Sequence, residues 1–305
     1  MALLLTSIRT QNKNLLWIGL LLLLLIPNLQ KAQALQLSDY NPISHWTCDE
    51  SSGVRYDSNT TNSNDLTDNN TVLSAVGLLG NACDFESTNS EYLSIADGDQ
   101  LNLDLTSDFS INFWINPESL PPTDTRHRLV SKLGSTNGYE IDLTNFSGTQ
   151  YVETRIYSGG SGDSATGAQT ISTWKMVTWL FNATTKVHRI YINAVGIATS
   201  TETVANPGNG DPFRIGVSSE TLTGYYDGKM DEISIFGSQL SMNELNEIYN
   251  LGTPLPYTAT SSPTSTSTAS STVDMSDTNF LLVVVIFFLT FIFLGLAFSP
   301  LNRKK

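Results

Sequence analysis

The side chains here whose types and spacing could do chemistry are led by Glu140-Ile141-Asp142. Residues two apart on a strand share a face. Both carboxylates would then stand side by side, as glycosidic chemistry requires of the two groups that flank the bond. Other reactive types are sparse. Three histidines, His45, His127 and His188, are scattered, and no Ser-His-Asp or Cys-His arrangement follows from their positions. Cys48 and Cys83, without neighbouring histidines, cannot complete a four-ligand zinc shell. Asn59, Asn69, Asn145 and Asn182 each open an Asn-x-Ser/Thr triplet, the acceptor for N-glycosylation in a host that has the machinery. Tyr157, Tyr225 and Tyr226 lie near expected loops, where a ring can stack on a sugar. Trp114, Trp174 and Trp179 fall within expected strands and read as core.

The elements that must position these residues are mostly short strands. Phe109, Ile111, Phe113 and Ile115 alternate with polar or outward residues, the period-2 mark of a half-buried strand. Val177–Phe181 and His188–Ile192 repeat the theme, joined by Asn182-Ala183-Thr184-Thr185 as a hairpin connection. Ser158-Gly159-Gly160-Ser161-Gly162-Asp163 reads as a flexible loop. One helix is expected after Ser241-Met242-Asn243-Glu244, a capping box, with Leu240 and Leu245 as a hydrophobic staple and Gly252 as its left-handed stop. Many short strands and one late helix point to an all-β, two-sheet antiparallel sandwich or jelly roll.

The two ends place the chain in a cell. Leu15–Ile26 is an apolar run preceded by Arg9 and Lys13 and followed by Ala32-Gln33-Ala34, the grammar of a secretory signal peptide over 1–34. Residues 279–299 are apolar enough for a transmembrane helix, and the basic tail 300–305 carries Arg303-Lys304-Lys305, the positive-inside mark. Between them the expected domain is 35–252, followed by a Ser/Thr/Pro-rich stalk over 253–278 that cannot bury a core. The expectation is a single-pass type I protein of the cell membrane with its domain on the extracytoplasmic side. A stalk, apolar span and basic tail also describe a processed sorting signal. Six of the 16 Lys and Arg lie in the two ends, so the exported part holds 10 basic against 29 acidic residues, a net of −19. Such a surface repels nucleic acid and excludes it as a partner. In an oxidising compartment, Cys48 and Cys83 read as one disulfide, the alternative being two separate buried thiols.

Several segments together resemble a known family. His45-Trp46-Thr47-Cys48-Asp49-Glu50-Ser51-Ser52-Gly53, Gly80-Asn81-Ala82-Cys83-Asp84-Phe85, Tyr92-Leu93-Ser94-Ile95 and Thr173-Trp174-Lys175-Met176-Val177 follow one another as in laminin-G-like, concanavalin A-like jelly rolls. Ile190-Tyr191-Ile192-Asn193 is similar to their hairpin, with Ala194 where glycine is usual. Tyr226–Phe236, then Leu240-Ser241 and the capped helix, is similar to their closing segment, and pentraxins end in much the same way. The resemblance implies a domain that binds glycans, peptides or other proteins through loops, often with calcium, and is rarely catalytic. It also implies a calcium ligand at Asp231, with Glu50 and Asp57 nearby if the first and last strands are neighbours. The pentraxin calcium cluster is not reproduced, since Ile215-Gly216 is followed by Val217-Ser218-Ser219-Glu220. Laminarinase-type glycoside hydrolases share the sandwich, and Glu140-Ile141-Asp142 is similar to the start of their motif. Positions 144 and 145 are Thr144 and Asn145, so the second essential carboxylate is absent.

The sequence therefore leads to the expectation of a non-enzymatic recognition or adhesion module with a glycan or extracellular protein as partner. A purely structural surface protein is the alternative from another class, and a glycoside hydrolase the third.

Overall fold

The computed structural model describes residues 34–61, 63–97, 105–158, 161–168, 173–202 and 210–258; the expected leader, the anchor and nearly all of the stalk lie outside them. Among the described residues no helix is long and apolar enough to cross a membrane.

Fifteen strands occur among the described residues and form two antiparallel sheets. The first sheet runs in the order β13 (Val195–Thr201), β12 (Val187–Ile192), β11 (Lys175–Phe181), β6 (Phe109–Pro117), β15 (Gly228–Phe236), β4 (Asn81–Phe85) and β3 (Leu73–Val76). A short β1 (Ser44–Trp46) also pairs with β15, so the first and last strands are indeed neighbours. The second sheet runs in the order β10 (Ser161–Ala168), β9 (Thr149–Ser158), β8 (Gly138–Phe146), β7 (Thr125–Leu133), β14 (Phe213–Ile215), β5 (Tyr92–Ile95) and β2 (Thr67–Asn69).

Alternation decides what meets between the sheets. Phe109, Ile111, Phe113 and Ile115 of β6, with Val177, Trp179 and Phe181 of β11, pack against Tyr139, Ile141 and Leu143 of β8 and Val152 and Ile156 of β9. Burying each such side chain contributes about 1.5–3 kcal/mol. The residues between them on β6 and β11 face outward, and there Trp114, Met176 and Leu180 make a second apolar cluster. It is covered by α1 (Met242–Tyr249) through Leu245 and Ile248, with Leu240 beside them. The capping box forms as its residues require: Ser241 Oγ accepts from the Glu244 amide at 3.3 Å, and Glu244 Oε2 accepts from the Ser241 amide at 2.6 Å.

Local chemistry explains several connections. β12 turns into β13 through Asn193 and Ala194, with φ of 52° and 62°. That two-residue hairpin needs positive φ at both positions, so Ala194 accepts a left-handed backbone that costs an L-residue about 1–2 kcal/mol. Cys48 and Cys83 are joined in a disulfide that ties the chain after β1 to β4. The buried Arg55 donates from Nε to Cys83 Sγ at 3.2 Å and from Nη2 to the Val72 carbonyl at 2.6 Å.

Two expectations are corrected. Of the expected loop 158–163, Ser158 and Ser161–Asp163 are strand residues, with Ser158 paired to Ser161 and Tyr157 to Gly162, while Gly159 and Gly160 lie outside the described residues. The helix also stops earlier than Gly252, because Asn250 takes the left-handed cap position with φ of 41°. Asparagine tolerates that conformation.

Candidate functional site

Glu140 and Asp142 share a face of β8, the one turned away from the core that holds Ile141. The register of the neighbouring strands sets cations against them. Glu140 lies opposite Arg155 on β9 and Ser131 on β7; Asp142 lies opposite Glu153 and Arg128. Arg155 Nη2 contacts both carboxylates, reaching Glu140 Oε2 and lying 2.6 Å from Asp142 Oδ2, while its Nε donates to Asp142 Oδ2 at 2.7 Å. Arg128 Nε is 3.2 Å from Glu140 Oε1, and its Nη1 is 3.3 Å from Asp142 Oδ2. Further along the face, Arg126 Nε donates to Glu153 Oε2 at 3.1 Å. Both the Glu140 and the Asp142 side chains are 0% exposed. Burial, and after it the charge of Asp142, pushes the Glu140 carboxyl up, while Arg128 and Arg155 pull it back.

The connection from β14 to β15 is stapled across this face. Gly216 begins it with φ of 89°, where a Cβ would meet the Phe85 ring at 2.9 Å, so only glycine fits without displacement. Ser219 then anchors it to β7: its amide donates to Ser131 Oγ at 2.9 Å and its hydroxyl to the Leu133 carbonyl at 2.6 Å. Its neighbours Ser218 and Glu220 are thereby placed at the edge of a pocket of about 250 Å³. Arg128, Glu140, Arg155 and Tyr157 line its interior, and Gly134–Thr136 of the β7–β8 turn line the other rim. The Arg155 guanidinium lies over the Tyr157 ring, 5.1 Å from its centroid. Fixed guanidinium groups, a partly exposed aromatic ring and a rim of hydroxyls converge here on one concavity.

Sequence reasoning named Glu140, Asp142 and Tyr157 but missed Arg128, Arg155 and Glu220. A signal existed in Arg126-His127-Arg128 and Glu153-Thr154-Arg155, which alternate at the same period as Glu140-Ile141-Asp142. Strand pairing was needed to show that the three strands face one another. The other tyrosines lie elsewhere. Tyr226 is fully buried, with its hydroxyl 3.2 Å from the Lys229 carbonyl, and Tyr225 stands beside Tyr92 at 6.4 Å.

Asp231, Glu50 and Asp57 are not brought together as a cluster of carboxylate oxygens; backbone amides hold one oxygen of Asp231 and of Glu50 and both of Asp57, while Asp231 Oδ1 and Glu50 Oε2 are buried without a hydrogen-bond partner. Asp231 Oδ2 accepts from Leu78 and Leu79 at 2.7 and 3.1 Å. Asp57 caps the amides of His45, Asn59 and Asn64, and Glu50 Oε1 accepts from Tyr56 at 2.8 Å. Among the described residues, the three carboxylates whose oxygens lie within 4.8 Å of one another are instead Asp84, Glu86 and Glu118. Lys229 already binds Glu118 there. The four glycosylation candidates each make side-chain hydrogen bonds. Asn59 Nδ2 donates to the Pro42 and Ile43 carbonyls, and Asn69 Nδ2 to Thr67 O and Ser94 Oγ. Asn145 Nδ2 donates to Pro121 O and Asn182 Nδ2 to Asp108 Oδ2.

Beside Asp231 a β-bulge gives Glu232 a φ of 51° and turns it inward. Glu232 Oε2 lies 3.2 Å from His45 Nε2, and His45 Nδ1 lies 2.9 Å from Ser234 Oγ. Burial pushes Glu232 up to about 8 and Asp231 up to about 7, and it pulls His45 down to about 4. The His45–Glu232 contact is thus one between neutral groups near pH 7, not an ion pair.

Two outcomes follow for this region. The raised carboxyl groups contribute stability that is present at low pH and lost as pH rises through about 7 and 8, whereas the His45 contribution is lost only as pH falls through about 4. The melting temperature is therefore expected to fall between pH 6.5 and pH 8.5, and Glu232→Gln to flatten that fall; an unchanged slope in the variant would refute the assignment. Calcium added after chelation is expected to leave the melting temperature unchanged, since an ion bound only by the folded state would raise it. A rise of several degrees would show a bound ion, either at Asp84, Glu86 and Glu118 or at a cage that Asp231, Glu50 and Asp57 do not form in this structure.

Comparison with known proteins agrees with the geometry. A profile of the laminin-G type, described as the concanavalin A-like lectin/glucanases superfamily, matches residues 87–246. A comparison with curated proteins finds no match. Among solved structures, the binding domain of Paraclostridial Mosquitocidal Protein 1 is similar at TM-score 0.58 and 19% identity, over 71% of this chain and 53% of that one. Domain 4 of AbnA, a GH43 extracellular arabinanase from Geobacillus stearothermophilus solved with arabinotriose, is similar at 0.52 and 17%, over 68% and 98%. The binding domain of Botulinum Neurotoxin DC in complex with SialylT is similar at 0.54 and 14%, over 69% and 51%. The chain thus spans about half the length of the two toxin domains, and at these identities the likeness is one of fold. With the two-sheet sandwich in place and the profile matching more than half of its length, this chain belongs to the concanavalin A-like lectin/glucanase superfamily.

Proposed function

We propose that the pocket over Arg128, Glu140, Arg155 and Tyr157 binds a glycan, and that the domain recognises its ligand without cleaving it. The observation that carries this is the convergence of two fixed guanidinium groups, one aromatic ring and a hydroxyl-bearing rim on a single concavity. Sugars offer alternating hydroxyls and an apolar ring face, which such a surface complements. Support comes from the fold neighbours, two of which were solved with arabinotriose and with SialylT.

The same geometry argues against hydrolysis. A general acid must come within hydrogen-bond reach of the leaving oxygen, and the attacking carboxylate must reach the anomeric carbon. Glu140 and Asp142 are 0% exposed and already hold Arg128 and Arg155, so neither has an open approach to a substrate. The leader, stalk and apolar span expected from the sequence add a place to the proposal, display of the domain on the outer side of a membrane.

In a glycan-array and calorimetric screen of the detergent-solubilised full chain, Tyr157→Ala is expected to weaken binding about tenfold, the loss of one stacking contact. Tyr157 is partly exposed and stands outside the core clusters, so this substitution spares the core, whereas Arg155→Ala would strand two buried carboxylates. Binding that survives Tyr157→Ala unchanged, or turnover of any glycan, would defeat the reading. For the location, the chain is expected in the membrane fraction with Lys305 in its terminal peptide; a soluble chain trimmed before residue 279 would contradict it.

A further inference from the structure

Resting on that glycan-binding reading, we infer that the pocket takes an uncharged sugar residue and turns away one that carries a carboxylate. The reason is that its two cations are already neutralised. Arg155 bridges Glu140 and Asp142, and Arg128 stands 3.2 and 3.3 Å from the same pair, so two positive charges face two negative ones. Lining the pocket there is no further Lys or Arg, and the remaining charged group is Glu220, exposed at the rim. An incoming carboxylate would therefore meet a neutral-to-negative site inside a domain of strongly acidic composition, and like charges in a partly desolvated place repel.

Hydrogen-bonding capacity is a different matter from charge. Arg128 Nε and Nη1 are buried against the carboxylates, and each guanidinium carries five N–H groups, more than the charge pairing itself requires. A hydroxyl or ring oxygen can accept from a guanidinium without bringing a charge of its own. Glu220 and the hydroxyls of Ser135, Thr136 and Thr221 offer the complementary acceptors for sugar O–H groups. The volume sets the scale. A pocket of about 250 Å³ that opens to solvent has room for a sugar residue. The ligand is then a neutral residue of a glycan.

The test uses the full chain in detergent and matched oligosaccharide pairs that differ only at the terminus, where a neutral hexose or pentose is compared with its uronate or with a sialic acid cap. The neutral member of each pair is expected to bind at least about tenfold tighter, with little change between low and high salt, because no net charge is being screened. Glu220→Lys, an exposed position, is expected to shift the ratio at least about tenfold toward the carboxylate-bearing member. Equal or tighter binding of the carboxylate-bearing member by the unsubstituted protein would overturn the inference while leaving the glycan-binding reading intact. Silence toward every member, or binding untouched by Tyr157→Ala, would instead overturn that reading and this inference with it.

Discussion

A strand that gives one face to an apolar core must give its other face to something else, and on β8 that something is a pair of carboxylates. Tyr139, Ile141 and Leu143 are committed to the space between the sheets, so Glu140 and Asp142 have no choice of direction. Two negative charges adjacent on a buried surface repel and lose hydration, which leaves the carboxylates dependent on compensating cations. Arg155 on one side and Arg128 on the other supply them. The pocket follows from this arrangement. The guanidinium groups are held rigid by the carboxylates, Tyr157 is held under Arg155, and the β14–β15 connection closes the edge by its bonds to β7. A site made this way is preorganised, so binding spends little on ordering side chains.

The opposite sheet shows the same alternation used for closure. Trp114, Met176 and Leu180, facing away from the main core, would be an exposed apolar patch were it not for α1 and the segments around it. Both ends of the described chain meet there. The Leu37 amide donates to the Pro256 carbonyl at 2.9 Å, and the Tyr257 ring stacks on His45 at 4.9 Å. The first residues of the expected stalk, 253–258, are therefore packed onto the domain, with Leu255 buried in the second cluster and Tyr257 on β1, next to the bulge that carries Glu232. The left-handed backbone at Glu232 and the burial of its carboxyl are costs that the surrounding packing offsets.

Membership of a superfamily that holds both lectins and glucanases does not choose between recognition and hydrolysis; the state of the carboxylates bears on that choice. A hydrolase keeps one carboxyl protonated and open to the leaving oxygen and the other free to attack or to activate water. Here the two are closed off together by the same guanidinium groups, an arrangement suited to holding a surface in shape. Their positions on β8 resemble the start of a catalytic motif, while Arg128 on β7 and Arg155 on β9 hold both in ion pairs.

What the sequence determined by itself was what a few neighbouring residues can encode. Period-2 alternation marked β6, β11 and β12, Ser241 and Glu244 marked the start of α1, and two cysteines in an expected oxidising compartment read as one disulfide, with two buried thiols as the alternative. The first two depend on backbone geometry that acts within one turn or one strand, and the third on there being one possible pairing if a bridge forms. What only the tertiary structure decided depended on residues far apart in the chain. Glu140 meets Arg155 across 15 positions, and Ser131 meets Ser219 across 88. Composition could not say that the arginines would neutralise those carboxylates, that amides would bind Asp231, Glu50 and Asp57, or that Ser158 would pair with Ser161. Strand register is fixed by the packing of both sheets at once, and a shift of one residue would have sent every one of these side chains to the other face.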